Sequence, residues 1–540
     1  MKRLTPLHRV RTIFRRRTSS FHPSNVKYKW WILLNVMMGT FMAVLDATIV
    51  NVGLPKIMAS FGVGIDKIEW VVTAYMLALA VMLASAGWLA DRFGYKRVYF
   101  LGLFVFTFGS FLCGLSTNVD MLILARVIQG LGAGTLMPLG MAIVTREFPV
   151  EQRGMALGFW GISAAASVSF GPLIGGFLID HFSWKLIFDV NIPIGIIALL
   201  VTVIIQREYK AKIIQKFDLL GFITSALFLP LILYALTESA STTNTQGWSS
   251  PFVLVSFAIS IILLAIFITH ELTTPHPLME LRMLGNYNFG ISNLMMFVFG
   301  IGMFGSTFLL PLYLQNSLGY TAIQAGAVFL PVGIIQGLAS PTVGWLGDKT
   351  NPKIPIILGI LILASSFFIN ASLSFLSERP IIMLSLYLRG LGMGMVFTPL
   401  SALALVDIPR VKMAQASGMF NIIRQLGGSF GVAILATMLT ARFSFHSQNF
   451  GQSINPSSTT YKNITAEIKN YYVHETGSSP GTAMQLSQVA IMSQVNKEAY
   501  IEAIDDDFLI AGIITLIGVF PVMLLRSKPK KKLNEEYRSA

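Results

Sequence analysis

The sequence predicts an all-α integral membrane protein of fourteen spanning helices, arranged as six, two and six. Three observations predict it. Of 540 residues, 54% are hydrophobic and 12% charged, with a mean hydropathy of +0.66; soluble domains carry about 25% charged residues. Apolar segments of about 20 residues recur along most of the chain, each long enough for a hydrocarbon core of roughly 30 Å. Two separate motifs repeat at nearly one offset, which marks a duplicated half.

The spans are read at 31–53, 68–90, 97–116, 121–144, 153–179 and 184–205, then 217–237 and 251–271. The last six are 289–315, 321–346, 354–374, 381–406, 414–441 and 508–526. They are helices, because open strands leave backbone groups unsatisfied in lipid. Gly87-Trp88-Leu89-Ala90-Asp91-Arg92 returns as Gly344-Trp345-Leu346-Gly347-Asp348-Lys349, an offset of 257. Gly130-Leu131-Gly132-Ala133-Gly134 returns as Gly390-Leu391-Gly392-Met393-Gly394, an offset of 260. Six spans need fewer residues than that, and the surplus is filled by spans seven and eight. The expected domains are a basic tail (1–29), a six-helix bundle (30–206), two additional central helices (207–285) and a second six-helix bundle (286–540) with an outer loop (442–507).

Of the 40 Lys and Arg, 29 fall in the tails and loops on the side shared by both termini, and eight on the other. This bias places both termini in the cytoplasm. The net charge of +14, including Arg15, Arg16 and Arg17, is therefore an orientation signal near anionic headgroups of the membrane lipids. A nucleic-acid role is not expected. The first apolar run is too long for a signal peptide and has no small-residue cleavage site.

Several classes are excluded by what the chain lacks. The single cysteine, Cys113, allows no internal disulfide. No G-x-x-x-x-G-K-[ST] occurs. His8, His22, His181, His270, His276, His446 and His474 all lie in loops or at span ends, without metal-ligand spacing. No metal, no cofactor and no enzymatic activity are expected. An ion-driven secondary transporter remains.

Ionisable residues deep in spans are costly and default to function. Four qualify: Asp46, Arg126, Arg389 and Arg424. Asp46 and Arg126 lie at matching depths of about 10 and 8 Å by helix rise. A carboxylate beside an arginine is stabilised as the anion, whereas desolvation favours the neutral acid. Two readings stand: a proton-coupling pair, or a static pair fixing helix register. Arg389 and Arg424 both fall near the midplane, where transporter sites are built. Gln129, Asn421, Arg389 and Arg424 are the candidate substrate-cavity residues; local satisfaction of the arginines by Asn421, Gln425 and backbone carbonyls is the other reading.

At this point the motifs carry a resemblance. Leu45-Asp46-Ala47-Thr48-Ile49-Val50-Asn51-Val52-Gly53-Leu54-Pro55 resembles the first-span motif of the fourteen-span drug:proton antiporter family, of multidrug-resistance protein B type, in the major facilitator superfamily. Gly87 through Arg97 resembles that superfamily's loop between spans two and three. Arg126-Val127-Ile128-Gln129-Gly130-Leu131-Gly132 is similar to its fourth-span motif. Gly171-Pro172-Leu173-Ile174-Gly175-Gly176 is similar to the fifth-span antiporter motif, and Trp184 through Gly195 to the start of span six. The resemblance implies the major facilitator fold and a proton-coupled exporter of amphipathic, drug-like compounds across the inner (cytoplasmic) membrane. It implies coupling through Asp46 and Arg126. It implies a conformational lock at Gly87, Asp91, Arg92, Gly94 and Arg97, and an antiport role for Gly171, Pro172, Gly175 and Gly176. The alternatives are export of a specific endogenous metabolite or lipid-like anion, and a transporter-like sensor without turnover. Lys185 stands where the family has Arg. Asn351-Pro352-Lys353 replaces the Gly-x-Lys/Arg part of the second loop copy, so the resemblance does not extend to a lock in the C-terminal half.

The stretch 442–507 holds no 20-residue apolar run. Spacing around Tyr471 and Tyr472, and of Leu486, Val489, Met492, Val495 and Ala499, predicts two partly amphipathic helices, against a solvent loop as the alternative. Among the antiporters this segment resembles the class that works with a periplasmic membrane-fusion adaptor.

Overall fold

The computed structural model describes residues 26–209, 217–239, 244, 246–374 and 379–526. Arg15, Arg16 and Arg17 and most of the basic C-terminal tail lie outside the described residues. Fourteen helices have the length and composition to cross a membrane, and no strand occurs among the described residues. The first half holds α1 (Val26–Phe61), α2 (Trp70–Phe93), α3 (Tyr95–Leu115), α4 (Val119–Glu147), α5 (Arg153–His181) and α6 (Asn191–Ile205). Next come α7 (Leu219–Ser239) and α8 (Pro251–Thr273). The second half holds α9 (Tyr287–Leu312), α10 (Leu330–Lys349), α11 (Lys353–Asn370), α12 (Arg379–Ala404), α13 (Met413–Ser453) and α14 (Pro480–Ile517).

Local chemistry sets several ends. Asn118 caps α4 by accepting from Met121 N at 2.8 Å, and Asn286 caps α9 by accepting from Phe289 N at 3.3 Å. Pro138, Pro172, Pro341 and Pro399 lie inside helices, where neighbouring helices in a bundle take up the freed groups. The halves meet along two seams, α5 against α10 and α2 against α13. α7 lies against both α2 and α13, and α8 packs chiefly on α7. The end of the bundle carrying the start of α1 and the α2–α3 turn is here termed the basic end, and the other the far end.

The stretch 442–507 is helical, in place of a solvent loop. α13 continues to Ser453 and α14 starts at Pro480, with a further helix, Thr459–Thr476, between them. From Pro480 to Asp507, α14 adds about 40 Å of helix before its apolar part. Asp506 ties the two extensions together, forming an ion pair with Arg442 Nε at 3.0 Å and meeting His446 Nε2 at 2.8 Å. Asp505 accepts from Leu373 N at 3.2 Å. Asp507, expected at a span end, is fully buried within α14.

Candidate coupling and substrate site

Asp46 on α1 and Arg126 on α4 are fully buried and form an ion pair through Arg126 Nη1. The same nitrogen donates to Gln129 Oε1 at 2.6 Å, one helical turn along α4. Arg126 Nε donates to Val71 O on α2 at 2.9 Å, and its guanidinium lies 4.1 Å from the centre of the Tyr75 ring. Asp46 Oδ1 accepts from Gln129 Nε2 at 2.7 Å and from Asn191 Nδ2 on α6 at 3.3 Å. Gln129 Nε2 also donates to Ser110 Oγ on α3 at 2.6 Å, and Cys113 Sγ lies 3.6 Å from Gln129 Oε1. The carboxylate thus joins α1, α3, α4 and α6 in one network, with α2 closing it. Such a pair is stable only while its hydrogen bonds are complete. Gln129, expected in a substrate cavity, is a buried member of this network instead.

The glycines of α5 fit this helix against two neighbours. A Cβ on Gly171 would lie 2.3 Å from Thr48 Oγ1, and one on Gly175 2.7 Å from Ile49 Cγ1. Both positions therefore bring α5 onto α1 just past Asp46. On the other side, a Cβ on Gly176 would lie 2.8 Å from Ile323, and one on Gly326 2.5 Å from Pro172. Ile323 and Gly326 belong to the short helix Ala322–Val328 that precedes α10. One stretch of α5 thus touches the helix that bears Asp46 and also the opposite half. Small residues permit such close helix approach.

At the basic end, Gly87 packs under α13, where a Cβ would lie 2.8 Å from Gln415 Cα. Asp91 accepts from Gln415 Nε2 at 3.3 Å across the seam and from Tyr95 OH at 3.2 Å. Gly94, with φ +105°, makes the turn between α2 and α3, a conformation glycine adopts freely. Arg97 pairs with Glu208 at 3.5 Å, within the first half, and Arg92 is exposed. The second copy of the loop makes the firmer contact. Asp348 accepts from Gly154 N and Met155 N, both at 3.0 Å, placing a carboxylate on the N-terminus of α5. The sequence departure at Asn351-Pro352-Lys353 leaves this contact intact because it is made by Asp348 itself.

The two arginines of the second half are placed differently. Arg389 is fully buried, 5.2 Å from the Phe367 ring of α11 and 5.8 Å from that of Phe508 on α14. It belongs to the interior of the second bundle. Arg424 is half-buried on α13, with its guanidinium about 6 Å from the rings of Phe304 and Phe397. Its Nη2 donates to Asn421 Oδ1 at 3.3 Å. Asn421 Nδ2 donates to Ser417 O at 2.9 Å and faces Met141 Sδ on α4 at 3.7 Å. Of the four cavity candidates, Asn421 and Arg424 therefore stand at the junction of the halves. Asn191, Ser110 and Tyr75 were not singled out from sequence as site residues; a polar amide in the first turn of an apolar span, as at Asn191, is the signal that marks one of them.

Two repeated six-helix bundles that meet along two seams, with a buried acid–arginine pair in one, define a membrane transporter rather than an enzyme. The family description "Major Facilitator Superfamily" matches residues 36–432, and the chain belongs to that superfamily. It is 30% identical over 516 residues to the uncharacterized MFS-type transporter YhcA of Bacillus subtilis, covering 95% of this chain and 96% of that one. It is 30% identical over 479 residues to the multidrug export protein EmrB of Haemophilus influenzae, covering 87% and 92%. A double-tryptophan variant of XylE shares the fold, with a TM-score of 0.60, 13% identity and coverage of 94% and 98%. The chain is a multi-pass membrane protein of the multidrug-resistance protein B type within its superfamily.

Proposed function

We propose that this chain is a proton-coupled exporter of amphipathic, drug-like compounds, with both termini and the basic end in the cytoplasm. The observation that carries the reading is Asp46, a fully buried carboxylate whose three partners, Arg126, Gln129 and Asn191, come from two other helices. In the present arrangement Arg126, Gln129 and Asn191 balance its charge. A rearrangement that moved α1 relative to α4 would leave a buried charge without its partner, at a cost of about 3–5 kcal/mol. Taking up a proton removes the carboxylate's share of that cost, while Arg126 keeps Val71 O, Gln129 Oε1 and the Tyr75 ring. Because α5 contacts both α1 and the short helix before α10, sliding of the halves is transmitted to the Asp46 helix. Proton and substrate then use alternating access to the same bundle interior.

Export of amphiphiles is supported by the similarity to a multidrug export protein over most of both chains. The helical projection of α13, Thr459–Thr476 and α14 supports a membrane-fusion adaptor as partner at the far end. Everted vesicles containing the chain test the reading: acidifying the lumen should drive uptake of an amphipathic dye, and nigericin should collapse it. Uptake that does not depend on the chain or on the pH gradient would overturn it.

A further inference from the structure

At the far end lies a cavity of about 910 Å³ that the coupling network does not use. Its walls are the end of α9, α13 near Leu439 and Phe443, and the projecting part of α14 from Gln488 to Tyr500. That volume falls within the range of drug-sized binding sites. Phe308, Leu312, Phe443, Val489 and Met492 supply apolar surface. The α9 wall ends in a π turn, Tyr313–Ser317, a distortion frequent at functional sites. Asn316 Nδ2 donates to Tyr500 OH at 3.0 Å, fixing this turn to α14. Ser317 Oγ, also in the lining, is buried and has no hydrogen-bond partner among the described residues. Lys497 is the one charged residue in the lining, and it forms no ion pair among the described residues.

A second cavity of about 430 Å³ lies between α1, α2, α7, α9 and α13 and shares Phe308 with the first as a lining residue. That one reaches Asn51, little more than a helical turn past Asp46 on α1, and Gln425, next to Arg424. Glu69 and Glu238 stand in its wall.

We infer that the far-end cavity is a binding site for amphipathic organic anions, held by the apolar walls and by Lys497 with the polar rim of the π turn. The inference rests on the export reading, for which this cavity is the release-side station. It commits the cavity to a small amphiphile carrying one negative charge. The charge selects by about 1 kcal/mol or less at such an exposed lysine, while the apolar body supplies most of the affinity.

The test is photolabelling of the full chain in lipid nanodiscs. The probe is a dodecanoate carrying an aryl-diazirine, compared with its methyl ester and its trimethylammonium counterpart. The carboxylate should label segments 308–317 and 488–500. Lys497→Gln should lower that labelling about threefold to fivefold while leaving the ester unchanged. Met492→Trp narrows the cavity from a half-exposed position on the projection and should lower labelling by both. Equal labelling by the ammonium compound would overturn the assignment. So would labelling that is unchanged by Met492→Trp, or that is no stronger in the two segments than on α8. Gradient-driven dye uptake with no labelling of the two segments would defeat this inference alone. Specific labelling without any gradient-driven uptake would leave the site standing and defeat the export reading.

Discussion

In the first half, the buried arginine Arg126 meets a carboxylate, an amide and a backbone carbonyl. In the second half, Arg389 lies against the rings of Phe367 and Phe508. The glycine motif that follows both arginines repeats at an offset of 260, which sets Arg389 opposite Gln129, not opposite Arg126. Duplication has therefore preserved the close-packing glycines while the charged groups beside them diverged. Similar backbones carry different electrostatics: a carboxylate–arginine–amide network on one side, and an arginine set against two aromatic rings on the other. The basic-end loops reverse the ranking, since the second copy has two backbone donors on Asp348 where the first has one side-chain donor from α13 on Asp91.

The largest effect separating the halves should come from the arginines. Arg126→Gln leaves Asp46 buried without its cation, a loss of about 3–5 kcal/mol, and should abolish gradient-driven transport. Arg389→Gln removes contacts to aromatic rings worth about 0.5–2 kcal/mol and should preserve transport. Thermal unfolding of the two purified variants, together with dye uptake, measures both. Equal losses of stability and transport would erase the distinction between the two sites.

A large effect is also expected at the α1–α5 contact. Gly171→Val forces side-chain atoms into the space of Thr48, at an overpacking cost of about 1–3 kcal/mol, and should impair coupling more than binding. Substrate binding retained with proton-driven uptake lost would place the defect in transmission. Normal uptake would reduce the glycine to ordinary packing.

The loops sharpen the comparison further. Asp348→Asn removes a carboxylate from two N–H donors, where charged hydrogen bonds are worth about 1.5–3 kcal/mol each. Asp91→Asn weakens a single longer contact across the seam. Both should favour opening at the basic end, and Asp348→Asn should do so more. Alkylation of single cysteines introduced at either end, in a Cys113→Ala background, reports the shift. The opposite order would mean that the α2–α13 seam, not the α5–α10 seam, sets the resting state.

The smallest expected effect concerns charge selectivity at Arg424. Because it is half-buried at the junction of the halves, Arg424→Gln should weaken transport of an anionic amphiphile about fivefold relative to a neutral one. Efficient export of dications with anions ignored would return Arg424 to a packing role.

Much of the fold was legible because hydropathy reports burial in lipid directly: the fourteen spans follow the apolar segments closely. The projections of α13 and α14 were not legible as continuous helices, because outside lipid a helix need not be apolar. The run from Gln488 to Tyr500 shows only a weak stripe. Asp46 and Arg126 stood out as charges inside apolar runs. Gln129 was assigned elsewhere because one position on a helix does not reveal which neighbour it faces. Asn191 enters the network only because the fold brings the start of α6 beside α1. Asp348 illustrates the reverse case, in which a motif altered at Asn351-Pro352-Lys353 retains the one residue that makes the contact.

The most direct test of the coupling assignment is gradient-driven uptake by Asp46→Asn in everted vesicles, with substrate binding measured on the same purified variant. The amide keeps the size of the side chain and can still accept from Gln129 and Asn191, but it gives up the ion pair with Arg126 and cannot exchange a proton. The account predicts a folded, inserted protein that binds the dye and shows no uptake in response to a pH gradient. Full gradient-driven uptake by Asp46→Asn would contradict it and assign the Asp46–Arg126 pair to structure alone.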